Sequence, residues 1–156
     1  MINPLRVLAV LGCASAFGSA ISAEPESMEI VIGGGPGAGT YELPSANIYC
    51  MHLKNQNTVA ASYKDFDASD PKTIGTAAIG VTNPDEAGPK RGSVQVSFAG
   101  PEGKASASYC ISIPGDSPGP LMLTRDGKSA ELAFQGKTKD GVSIRITAKC
   151  PALEEL

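Results

Sequence analysis

The chain has 156 residues, with 13 basic and 16 acidic side chains, one histidine and a formal charge of −3. This mildly acidic balance, with its lysines scattered, leaves no basic footprint for nucleic acid or anionic lipid. An aromatic content of 5% without tryptophan leaves few platforms for stacking bases or sugars.

At the N-terminus, Met1 to Arg6 is a short basic start, and Leu5 to Phe17 is apolar and rich in small residues. Ile21-Ser22-Ala23 then offers a small residue for cleavage before Glu24. The pattern reads as a secretory signal peptide over residues 1–23. Residues 24–156 then make one ordinary domain of 133 residues, and the loss of Arg6 takes its formal charge to −4. Val10-Leu11-Gly12-Cys13 has the shape of a lipobox, but a signal ending at Gly12 is unusually short. The run from Leu5 to Ala23 approaches the roughly 20 residues that span a bilayer, although glycines and serines dilute it. Membrane attachment is therefore expected only if Cys13 is lipidated or the signal is retained. The expected location is extracytoplasmic, secreted or periplasmic.

The next stretch, "EIVIGGGPGAGTYEL" from Glu29 to Leu43, looks like the dinucleotide-binding loop of flavin-dependent oxidoreductases over about ten residues. Ile30, Val31 and Ile32 suit the strand, and Gly33, Gly35 and Ala38 match the G-x-G-x-x-G/A spacing. The helix that must follow, whose N-terminal N–H groups and dipole hold the pyrophosphate, has no counterpart. Thr40, Tyr41, Glu42 and Leu43 lead to Pro44, which would remove a hydrogen bond from the helix's second turn. The expectation is a flexible glycine segment joining two strands, with no nucleotide and no other cofactor.

Alternation of period two dominates the rest. Strands are expected over Met28 to Ile32, Ala46 to Leu53, Thr58 to Asp65 and Thr76 to Val81, and again in "GSVQVSFA", "ASASYCISI", "LMLT", "SAELAFQ" and "GVSIRITAKC". Val94, Val96 and Phe98 share one face, and Ser93, Gln95 and Ser97 the other. Ser93, Ser97, Ser106, Ser108 and Ser112 suit a hydrated outer surface. Asp140-Gly141 and Asp126-Gly127 supply hairpin turns. About seven to nine short strands with regular turn signals describe an all-β fold, an antiparallel β-sandwich or a small barrel.

With Cys13 removed, Cys50, Cys110 and Cys150 remain, and an odd count in an exported domain implies one disulfide and one free thiol. Cys150 lies on the apolar face of Val142, Ile144 and Ile146, Cys50 shares its face with Ile48, and Cys110 lies among serines. This favours Cys50 with Cys150 and leaves Cys110 free, with Cys50–Cys110 and Cys110–Cys150 as the competing pairs. A free Cys110 on a sheet edge would also permit a disulfide-linked homodimer.

The segments "GTYELPSANIYC" and "GKTKDGVSIRITAKC" resemble the two ends of small exported bacterial β-proteins, among them mycobacterial secreted lipoprotein antigens. The resemblance implies an envelope or secreted β-sandwich of no defined activity, with Cys50 and Cys150 as its bridge. The chain departs from those antigens in its lipobox and in carrying Cys110.

Few constellations carry chemistry. Cys50-Met51-His52 holds copper-binding atom types, but alternation turns Met51 away, and a blue-copper site needs two histidines. His52 reads as a half-buried strand residue. A Cys–His nucleophile would need a thiolate at Cys50 or Cys110 beside His52. Asp65, Asp67 and Asp70 in "DFDASDPK" offer oxygen for calcium, but the glycine and terminal glutamate of an EF-hand loop are missing. The expected function is non-catalytic, a binding or structural role in which the end loops meet a protein or surface ligand. The alternative is a thiol- or His-dependent enzyme or redox protein using Cys110 or His52.

Overall fold

The computed structural model describes residues 24–117 and 119–156; the expected signal peptide, with Cys13, lies outside the described residues. Alternating segments pair because one face of each can be buried only against a second layer. Eleven strands result among the described residues: β1 (Ser27–Gly33), β2 (Gly39–Leu43), β3 (Ile48–Leu53), β4 (Thr58–Lys64), β5 (Ile74–Thr82), β6 (Arg91–Phe98), β7 (Ser108–Ile113), β8 (Leu121–Asp126), β9 (Ser129–Lys137), β10 (Ser143–Cys150) and β11 (Glu154–Glu155). They form a five-stranded sheet in the order β2-β1-β10-β9-β8 and a six-stranded sheet in the order β11-β3-β4-β5-β6-β7. Neither sheet closes on itself, so the fold is a sandwich and not a barrel. Every pairing is antiparallel except that of β11 with β3.

The core lies between the sheets. Ile30, Leu132, Phe134, Ile144 and Ile146 face it from one side, and Val59, Ile79, Val81, Val94, Val96 and Ile111 from the other, all fully buried. Burial of such a side chain contributes about 1.5 to 3 kcal/mol, so the alternation read in the sequence is the main source of cohesion. Two of the eleven strands exceed the expected nine. β2 is an edge strand with no buried residue, and β11 has only two residues. The third strand begins at Ile48 rather than Ala46, because Ser45–Asn47 winds into a 3-10 turn in which the Asn47 N–H donates to the Pro44 carbonyl.

The glycine stretch joins β1 to β2 as a hairpin, and a strand stands where a nucleotide-binding loop would lead into a helix. It is docked on the six-stranded sheet as well as turned. The Tyr41 hydroxyl donates to the Gly37 carbonyl at 2.9 Å, and the Tyr109 hydroxyl donates to the Pro36 carbonyl. Partial burial, followed by the neighbouring Tyr41, pushes the Tyr109 phenol above its ordinary range. Gly37, at φ +73°, lies against the Phe98 ring so closely that a methyl group there would fall inside it. Tyr41 also meets that ring edge-on, with centroids 5.5 Å apart.

The disulfide joins Cys50 to Cys150, with Cα atoms 5.7 Å apart, and excludes both competing pairs. Because Cys50 is on β3 and Cys150 on β10, the bond crosses from one sheet to the other. Cys110 is free and exposed on β7, the edge strand, as its serine neighbours imply.

Gly37 and Gly34 separate two effects in one loop. Both have positive φ, but a side chain at Gly34 meets nothing within 4 Å. Gly34→Ala should cost about 1 kcal/mol, the strain of left-handed backbone. Gly37→Ala should cost that plus an overpacking penalty of about 1 to 3 kcal/mol. Denaturant midpoints of the two variants check this, and equal losses would show that the Phe98 contact carries no weight.

Candidate functional site

The sequence-derived candidates do not assemble into a catalytic group. Cys50 is consumed by the disulfide. His52 is half-buried on β3, and its Nδ1 is enclosed without a hydrogen-bond partner. Strands β4, β5 and β6 lie between His52 and Cys110 on β7. At about 4.8 Å per strand, that is roughly 19 Å, so the two cannot act as nucleophile and base. Asp65 and Asp70 turn inward on their own loop: Asp65 Oδ1 accepts the Asp67 N–H at 3.0 Å, and Asp70 Oδ1 accepts the Lys72 N–H at 2.9 Å. Among the described residues no three His, Cys, Asp or Glu side chains converge on a point that would hold a metal.

A concave site does form at one end of the sandwich, between the β4–β5 and β6–β7 loops. Its construction starts with a register shift: Ile74 pairs with Phe98 but Thr76 pairs with Ser97, so Gly75 is an extra residue on β5. Such bulges bend a strand and re-aim its neighbours. Beyond it the ladder continues through the Ala99 N–H to the Thr73 carbonyl, while the Asp65 N–H donates to the Gly75 carbonyl. The two loops are thereby drawn together over the outer face of the sheet. On the other wall Gly100 is required, because any side chain there would overlap the Lys104 carbonyl.

The resulting cleft has a volume of about 290 Å³. Phe98, Ala99, Thr76 and Ser97 form its floor, Phe66 and Ala68 one wall, and Gly103 to Ala105 the other. Ser97 was expected on the hydrated face by parity, but only 8% of it is exposed. The loops fold over it, and its Oγ shares a hydrogen bond of 2.8 Å with that of Ser108. Phe66 is 75% exposed, the most exposed of the large apolar side chains among the described residues, and the Lys64 ammonium lies 4.3 Å from its ring centroid. Phe98 connects the cleft to the docked glycine loop, since Gly37 and Tyr41 pack on the same ring.

Sequence reading missed this site because its parts come from two loops separated by the whole of β5, β6 and the turn between them, and most of them are small. The one signal available was Phe66, an aromatic residue in an otherwise polar, aspartate-rich loop.

A second, smaller notch of about 210 Å³ lies beside Cys110, lined by Ser108, Tyr109, Asp116, Thr138, Lys139 and Asp140. Its main feature is a latch. Asp116 accepts the Ser112 N–H at 2.9 Å and returns its own N–H to the Ser112 carbonyl at 2.7 Å. The backbone groups of Ser112 on the exposed edge of β7 are thus satisfied, which blocks strand addition there. Lys139, from the β9–β10 turn, reaches Asp116 Oδ1 at 2.8 Å and so ties the five-stranded sheet to this latch.

No family model, curated protein or solved structure matches the chain. Its function is therefore read from the residues themselves.

The latch has a defined pH dependence. The Lys139 ammonium, followed by the Ser112 N–H, holds the Asp116 carboxyl below the ordinary carboxylate range. A group with a depressed folded-state pKa adds stability above its unfolded-state pKa and loses it as pH falls through the folded value. Asp116→Asn should thus be less stable than the parent at neutral pH, and the difference should vanish in acid. Urea midpoints across the acid range check this, and a gap independent of pH would contradict it.

Proposed function

We propose that the chain is an exported, non-catalytic binding protein that uses the loop end of its sandwich to hold a ligand. The observation that carries this reading is the cleft between the β4–β5 and β6–β7 loops, where an exposed phenylalanine and its lysine stand over a floor of small residues. Loops on a rigid β frame are where binding contacts are usually built, and Phe66 gives this pair of loops an exposed aromatic face. An exported location is supported by the leader-like sequence of residues 1–23 and by the disulfide, which oxidising compartments favour. Among the described residues no helix is long and apolar enough to cross a membrane. The resemblance of the two cysteine-bearing segments to exported bacterial β-proteins points the same way.

A fragment library containing neutral, cationic and anionic compounds, screened by amide chemical-shift mapping on the purified protein, tests this reading. Hits are expected to converge on Gly75, Gly100 and Gly103. The same preparation should turn over neither a panel of hydrolase substrates nor insulin in the presence of a reductant. Turnover abolished by His52→Ala or Cys110→Ser would instead establish the enzyme or redox alternative, and hits scattered over the surface would remove the cleft from the account.

A further inference from the structure

Resting on the loop-end reading for Phe66, we infer that the binding surface continues from the cleft onto the outer face of the six-stranded sheet and takes a neutral β-1,4-linked glycan. The first observation is charge. The outer face of the five-stranded sheet bears Glu29, Glu42, Glu131, Lys137, Arg145 and Lys149, as the solvated face of an antiparallel sheet does. Its counterpart carries charge only at its margins. Among its outward-facing strand residues Lys64 ends β4, Arg91 begins β6, and Glu154 lies on β11 beside Met51. The loops around the cleft set Lys64, Lys72 and Lys104 against Asp65, Asp67, Asp70 and Glu102, so nothing at this end selects an ion.

The second observation is relief. Strand pairing aligns Ala60 with Gly80 and Ser62 with Ala78 in the middle of the face. These small residues make a trough along β4 and β5, with Tyr49 and Met51 of β3 on one side and Gln95 of β6 on the other. The trough runs into the cleft, because Lys64 and Thr76, the next outward pair in the same register, line both.

The third observation is aromatic. Such residues are few in this chain, yet two exposed ones share this surface: Phe66, and Tyr49 at 50% exposure. Tyr49 pairs with Ser62, and the chain runs on from Ser62 through the end of β4 to Phe66. At about 3.3 Å per residue and 4.8 Å per strand, the two lie roughly 14 Å apart, a span that an oligomer bridges and a single ring does not. Equatorial substituents leave both faces of a β-1,4-linked sugar lined with C–H groups, which stack on aromatic rings, while the hydroxyls at its rim meet Ser62, Thr76 and Gln95. An extended peptide would gain less. β4 and β5 are already paired on both sides, so they offer no free edge for strand addition.

The test titrates purified protein with cellohexaose, chitohexaose, cellobiose, maltohexaose and a β-1,4-linked mannuronate hexamer. Amides of Ser62, Ala78 and Gly80 report on the trough, and those of Gly75 and Gly100 on the cleft. Cellohexaose or chitohexaose should shift both groups saturably, and the preferred hexamer should bind about tenfold more tightly than cellobiose, the scale of one further stacked ring. Maltohexaose, which is α-linked and curved, and the charged mannuronate should both bind more weakly. Tyr49→Ala and Phe66→Ala should each lower hexamer affinity about tenfold, the loss of one stacked ring, while the denaturant midpoint stays unchanged. Binding of maltohexaose or mannuronate as tight as that of the preferred hexamer, or hexamer binding indifferent to Tyr49→Ala, would overturn the assignment. Fragments that converge on the cleft while both neutral β-linked hexamers leave Ser62, Ala78 and Gly80 unmoved would overturn this inference and leave the loop-end reading standing.

Discussion

Cys50 and Cys150 belong to different sheets, and the bond between them fixes β3 against β10 across the apolar interlayer. The other links between the layers are packing contacts, backbone excursions, the Tyr109–Pro36 hydrogen bond and ion pairs such as Lys139–Asp116 and Arg125–Asp85, none of them covalent. The bridged cysteines are 100 residues apart in sequence, and closing such a loop lowers the entropy of the unfolded chain by the equivalent of about 4 to 5 kcal/mol. Domains of this size are typically stable by about 5 to 15 kcal/mol, so the bridge supplies a large share. The chain reinforces it at once. Just beyond Cys150, Leu153 is buried and its N–H donates to the Lys128 carbonyl, after which β11 joins β3 on the opposite sheet. Lys54 and Glu155 then pair at that edge.

With the sheets held in this way, the loops at the far end inherit fixed starting points. Phe98 is the junction between frame and cleft. It ends β6 in the core, carries Gly37 and Tyr41 of the β1–β2 hairpin on its ring, and is one of the residues that line the cleft. The glycines that mimic a nucleotide motif thus serve close packing, letting a turn approach an aromatic ring. The cleft itself needs a bulge at Gly75 and a tight approach at Gly100, both of which are backbone devices. What it presents to a ligand is simple: one aromatic face, two lysines and a bed of small residues.

Much of the frame was legible because parity carries it. Alternation places Val94, Val96, Ile144 and Ile146 inward, and the same parity sends Cys50 and Cys150 into the core and Cys110 outward. Parity fails where tertiary covering intervenes. Ser97 has the outward parity, yet it is buried because two loops close over it. β2 escaped notice because an edge strand with neither face fully covered, as in "GTYEL", shows no contrast between its sides. β11 is too short to have a period. The cleft was illegible for a different reason: it arises where Asp65 to Gly75 meets Ala99 to Ala105, and nothing local in either segment announces the other.

Hydrogen exchange of the oxidised protein, compared with that of the protein whose Cys50–Cys150 bond has been reduced and blocked, tests the central role of the inter-sheet bridge most directly. If the bridge stabilises the whole sandwich through the unfolded chain, protection of the slowest core amides should fall by a common factor in both sheets. Ile146 and Leu132 in one should lose as much as Val94 and Ile79 in the other. Loss confined to amides of β3 and β10, with the remaining strands as protected as before, would show that the bridge is a local clip and that the sheets hold together without it.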